Sequence, residues 1–129
     1  MFAREVVNGP WRIWALADED GTCPLEEFVS GLPKSERRKV LAMLDHVAEG
    51  GTRALPSDRC HQIDDEHQIY QFTAGQVRIL WFYDRDKIIL CSHAFLKRTN
   101  KTPKRERERA VAARKACRAG SVTLVKEHE

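Results

Sequence analysis

Residues 69–83 read IYQFTAGQVRILWFY, and the period of that stretch decides the fold. From Val77 the side chains alternate, so that Val77, Ile79, Trp81 and Tyr83 share one face while Arg78, Leu80 and Phe82 share the other. A period of two in residues this rich in β-branched and aromatic side chains is a strand. Ala74-Gly75-Gln76 is the turn that joins it to a preceding strand over 69–73. One step further out, a strand is expected over 59–63, closed by the acidic turn Asp64-Asp65-Glu66. Another is expected over 87–95, after Asp84-Arg85-Asp86. The centre of the chain therefore reads as a meander of three or four antiparallel strands.

On the N-terminal side, residues 11–16 (WRIWAL) alternate and suit a first strand, and Asp20-Gly21 turns the chain. Leu25, Phe28, Val29 and Leu32 then follow helical spacing, with Thr22 as the expected cap and Gly31 and Pro33 as the stop. Ser35 is the expected cap of a second helix, whose apolar face is Val40, Leu41, Leu44, Val47 and Ala48 and whose stop is Gly50-Gly51. Beyond the strands, Thr102-Pro103 opens a last helix, with Pro at its first position. Ala110, Ala113, Ala116 and Cys117 are available for packing, and Gly120 ends it. The expectation is an α+β fold: an antiparallel sheet with an N-terminal helical hairpin and a C-terminal helix.

A chain of 129 residues with 42% hydrophobic and 32% charged side chains supports one modest core under a highly charged surface. That composition excludes a multidomain enzyme and lacks the signature of disorder. Apolar runs are too short to span a bilayer. The opening MFAREVVNG carries an acid and no apolar h-region, so no signal peptide and a cytoplasmic location are expected. Cys23, Cys60, Cys91 and Cys117 form no CxxC pair and read as reduced, mainly buried thiols. A metal site could be assembled only from Cys60-His61 with Cys91 and His93. Adjacent Cys and His point to opposite faces of a strand, so no metal and no cofactor are expected.

The charge is unevenly spread. Residues 1–96 hold 11 Lys and Arg against 15 Asp and Glu, whereas residues 97–118 hold 10 against 2. Lys104 and Arg105 fall in the first turn of the last helix, where they oppose the helix dipole, and Lys97, Arg98 and Lys101 lie just upstream. Glu106 and Glu108 can pair locally but cannot neutralise ten bases, which points to a bound anion. Arg78, on an otherwise apolar strand, is either snorkelling at an edge or held in a cleft for a ligand. His93 shares a strand face with Phe95 and Lys97, and is either a satisfied structural residue or a proton carrier.

The run GQVRILWFYDRDKIILCSHAFLKRTNKTPKRERERA resembles the RelE/ParE superfamily of toxins, in its HigB-like, phage-derived branch. The residues that carry the likeness are Arg78-Ile79-Leu80, His93-Ala94-Phe95, Lys97-Arg98-Thr99, Lys101-Thr102-Pro103 and Arg109-Ala110. FVSGLPKSERRKVLAMLDHVAEGG is similar to the family's helical hairpin. The resemblance implies a single RelE-like, microbial-ribonuclease-like domain over residues 1–120, with a tail over 121–129. It implies a type II toxin acting as a metal-independent, ribosome-dependent mRNA endoribonuclease. Its partners would be a cognate antitoxin of helix-turn-helix type, mRNA and the ribosome, with no membrane.

Carried over by position, the resemblance makes Arg78, His93, Lys97 and Arg98 the catalytic candidates. Arg78 would bind the scissile phosphate, Lys97 and Arg98 would contact phosphates or the leaving group, and His93 would be an acid or base. Lys101, Lys104 and Arg105 would bind RNA. The sequence departs from the family where Gln71 and Thr73 replace an acid and a base. Gln cannot act as a general base, so proton transfer would fall to His61, His67, His93 or the ribosome's own groups. The other readings are a non-catalytic ParE-like toxin that binds a protein such as gyrase, and a phage-derived nucleic-acid-binding protein.

Overall fold

The structure, a computed structural model, describes residues 1–125. Residues 126–129 of the expected tail lie outside them. In chain order the elements are β1 (Phe2–Asn8), β2 (Arg12–Ala17), α1 (Pro24–Ser30) and α2 (Lys34–Gly50), then a 3-10 turn at Thr52–Ala54. There follow β3 (Cys60–Asp64), β4 (Ile69–Ala74), β5 (Val77–Tyr83), β6 (Ile88–Leu96), α3 (Lys104–Ala119) and β7 (Thr123–Leu124). The described strands form one sheet in the order β3-β4-β5-β6-β2-β1-β7.

Two expectations are corrected here. The helical hairpin is not N-terminal, because β1 and β2 precede the helix pair. The sheet is mixed, not antiparallel: β1/β2, β3/β4, β4/β5 and β5/β6 run antiparallel, but β2/β6 and β1/β7 run parallel. The physical reasons are local. FAREVVN buries only Ala3 fully and shows no clean alternation, so β1 carries no periodic signal. The β2/β6 pair is closed by a crossover of some seventy residues, and alternation within a strand says nothing about the direction of so distant a partner. β7 is two residues long.

The central meander has the expected alternation. Ile79 and Trp81 belong to the core beneath α1 and α2, together with Ile13, Leu25, Val40, Leu44, Val47 and Phe72. Leu80 and Phe82 belong to a second core beneath α3, with Leu16, Ile69, Leu90, Ala110 and Cys117. The sheet is thus covered on both faces. Trp81 is the largest fully buried side chain, stacked on Tyr70 at 4.6 Å and on Phe72 at 4.8 Å between ring centroids.

The helix ends differ from expectation by a residue or two. Cys23, not Thr22, is the N-cap of α1, and Pro33, not Ser35, is that of α2. Pro103 occupies the N-cap of α3, one position before the expected first turn. Gly51 closes α2 with φ +76°, and a Cβ there would meet the Trp11 indole at 2.6 Å, so this turn requires glycine. In α3, Arg114 takes the buried position expected for Ala116, which is exposed. Its Nη2 donates to Gln68 Oε1 at 3.1 Å, and its guanidinium lies 5.8 Å from the Phe82 ring centre.

Candidate functional site

The register of the sheet sets out the floor of a cleft on the α3 face. His61 pairs with Gln71, Gln71 with Leu80 and Leu80 with His93, which makes one row across four strands. Thr73, Arg78 and Phe95 make the next row. Cross-strand pairs share a face, so each row presents its side chains together. A register irregularity between Leu80 and Trp81 in the β5/β6 pairing puts Cys91 opposite Trp81 and His93 opposite Leu80. Cys91 therefore packs in the α1/α2 core while His93 faces α3. Cys60, His61, Cys91 and His93 do not gather, and among the described residues no group of three or more such ligands does.

The segment between β6 and α3 forms the wall. Lys97 N–H donates to Gln76 O at 2.7 Å, which fixes the start of the segment to the β4–β5 turn. Thr99 Oγ1 donates to Lys101 O at 2.7 Å. Thr102 Oγ1 donates to Gln71 Oε1 at 2.8 Å and ties the end of the segment to the sheet. Gln71, only 6% exposed, is thus a structural anchor at the position where an acid was expected.

Between floor and wall lies a cleft of about 610 Å³ lined by Arg78, Lys97, Lys101, Lys104 and Arg107, with His61, Gln71, Thr73, Asn100 and Thr102. Asp58 is its one carboxylate among the described residues, so five cations face one anion. Arg78, Lys97 and Lys101 have no described carboxylate within 4.0 Å. Arg78 is half-buried, and its Nη1 donates to Gly75 O at 2.7 Å and Val77 O at 3.1 Å. Burial pulls its guanidinium down from its ordinary value, yet an Arg keeps its charge. Neutral carbonyls orient this cation without cancelling it.

Four of the seven site residues expected from sequence line this cleft: Arg78, Lys97, Lys101 and Lys104. Arg98 lines a smaller adjoining hollow together with Arg78, Phe95, Lys97, Lys101 and Pro103. Arg105 lines a further groove with Phe28, Phe95, Leu96 and Arg98. His93 lines none of the three. It is 1% exposed, its Nδ1 is 2.9 Å from Ser92 Oγ, and its Nε2 is 3.3 Å from Glu106 Oε1 without reaching hydrogen-bond geometry. Burial, reinforced by Arg109, pushes the imidazole down to about 4 against the pull of Glu106.

His61 lies in the cleft, whereas His67 turns to Asp64, with Nδ1 3.4 Å from Oδ1. Asn100 and Arg107 also line the cleft and were not singled out from sequence. For Arg107 a signal existed: it stands three residues after Lys104, on the same helix face.

No curated protein matches the chain. A family profile described as phage-derived protein Gp49-like (DUF891) matches residues 27–115, more than half the chain, from α1 through most of α3. The chain belongs to the Gp49-like family of phage-derived proteins, within the RelE/ParE-like toxin superfamily.

Proposed function

We propose that this protein is the toxin of a type II toxin–antitoxin pair and that it cleaves mRNA, as a HigB-like, ribosome-dependent endoribonuclease. The observation that carries the reading is the cleft in which five cations face one carboxylate, with Arg78 held half-buried on its floor. Attack of a ribose 2′-hydroxyl on the adjoining phosphate builds negative charge on a five-coordinate phosphorus. Preorganised cations can meet that charge without a metal. In this reading Arg78 stabilises the phosphorane, Lys97 and Arg98 hold the flanking phosphates, and Lys101, Lys104 and Arg105 hold the rest of the strand.

Two protons must move, one off the 2′-hydroxyl and one onto the leaving 5′-oxygen. His61 is the imidazole that opens into the cleft and is assigned this task together with groups of the ribosome. His93, buried and held neutral, is assigned to positioning: it sets Glu106 and, through it, the start of α3. The antitoxin partner is the counterpart of a toxin fold, and the same basic surface suits an acidic segment of it.

One observation favours a second reading. Gln71, which stands where the superfamily has an acid, already spends its carbonyl oxygen on Thr102 and cannot take a proton. A protein with this cleft and no strong base could bind RNA without cutting it. Primer extension on mRNA from cells expressing the chain separates the two. New 5′ ends inside translated codons, absent with Arg78→Ala, support cleavage. Growth arrest with intact mRNA supports binding alone, and normal growth at high expression refutes a toxin.

A further inference from the structure

We propose that the groove beside the cleft is a second nucleotide subsite, in which the base next to the cleft-bound phosphate packs against Phe95. The inference rests on the reading of the cleft as an RNA site and names the part of the strand it takes. β6 is nine residues long, yet β2 pairs only with Ile88, Ile89, Leu90 and Cys91. Past Cys91 that side of β6 has no strand neighbour, and a groove of about 280 Å³ opens along residues 94–96, with Phe28 of α1 on its far side. Leu96, at 46%, is the most exposed large apolar side chain among the described residues. Arg98 and Arg105 stand over this apolar floor.

Three features assign the occupant. Phe95 is the direct cross-strand partner of Arg78, and both line the hollow next to the cleft, so the aromatic side chain neighbours the cation that would hold the scissile phosphate. Phe95, Arg98 and Pro103 line both the hollow next to the cleft and the groove, so the two are one continuous surface. Finally, an aromatic face flanked by arginines matches the repeating unit of a single strand, one ring and one phosphate per residue. Glu106 is the groove's carboxylate and is turned toward His93. An acidic peptide would use the arginines but not the ring.

The test uses the full chain and a fluorescein-labelled 2′-O-methyl RNA heptamer, which binds but has no free 2′-hydroxyl to attack. A second set of heptamers carries one abasic residue, moved along the strand. Anisotropy should show Phe95→Leu weakening the intact heptamer about tenfold, with Phe95→Tyr restoring it. One abasic heptamer should bind parent and Phe95→Leu equally. Arg105→Ala, at an exposed position, should weaken every heptamer and lower the slope of log K against log salt by about one. If Phe95→Leu fails to fold, Phe28→Leu and Leu96→Ser carry the same comparison.

Equal affinity of parent and ring variants for the intact heptamer overturns the subsite. So does heptamer binding too weak to detect, and mRNA cleavage in the primer-extension experiment then shows that the cleft reading survives. A poly-glutamate peptide that loses affinity with these variants when the heptamer does not makes the groove a protein surface, and the subsite is likewise overturned.

Discussion

The buried His93 makes stability fall on the acid side of neutrality, and the size of the effect follows from its surroundings. In the unfolded chain the imidazole titrates near its ordinary 6.5, whereas in the fold burial and Arg109 lower it to about 4. Between those values the unfolded state binds a proton that the native state refuses, so protonation favours unfolding. The neutral histidine's full contribution is present above about pH 6.5 and is lost as pH falls toward 4. A shift of this size corresponds to roughly 3 kcal/mol. Against a typical total of about 5–15 kcal/mol, that is a large share.

Urea denaturation at half-unit steps from pH 7.5 to 4 should show the decline in the parent. His93→Gln keeps a polar group near Ser92 and Glu106 but cannot ionise, so its curve should be flatter across the same window. Carboxylates held low, such as Asp64, begin to lose their contribution only below about pH 5, so the decline between about pH 6.5 and 5 isolates the histidine. Parallel curves for parent and His93→Gln refute the account. So would an imidazole resonance that titrates near 6.5 by NMR in the native protein.

Arg78→Ala should cut mRNA cleavage about 100-fold while ribosome binding stays nearly intact, since one charge-stabilising donor is lost and its partners are the carbonyls of Gly75 and Val77 at a turn. Single-turnover cleavage on programmed ribosomes measures this, and an unfolded variant by circular dichroism would make Arg78 structural. Thr102→Val leaves buried Gln71 without its donor and should cost about 1–3 kcal/mol in urea melts. It should also weaken RNA binding, because the Lys101 and Lys104 wall loses its tie to the sheet; unchanged affinity would show that the wall stands without it.

Those parts of the fold with a strong local period were legible in the sequence. VRILWFY dictated β5 to the residue because every side chain in it has a face to fill. The apolar spacing marked the buried face of α2 at Val40, Leu44, Val47 and Ala48 for the same reason, although Leu41 is exposed and Met43 is buried in its place. What failed was non-local. The strand that β2 would pair with, and in which direction, depends on how the helix pair returns the chain across the sheet, and no residue of WRIWAL encodes that. The bulge opposite Leu80 was equally silent, although it decides that Cys91 and His93 face opposite layers. The cations of residues 97–105 were legible as a charge excess, whereas their division between a cleft and a groove depends on where Thr102 and Lys97 are tied.

That division explains why the chain accepts an uncapped, positively charged helix start. Pro103 supplies no side-chain cap to α3, and Lys104 and Arg105 add charge to an end already positive. Only Lys104 has a local acid at hand, Glu108 at 3.7 Å, and both are exposed, which makes the pair weak. The segment is held instead from its flanks, by the Gln76 carbonyl before it and the Gln71 side-chain amide at its end. Ties made by neutral groups fix the backbone without neutralising the cations. A salt-bridged wall would be steadier and would have no charge left for an anion. The use of amide, hydroxyl and carbonyl partners in place of carboxylates is what keeps this surface both folded and positive.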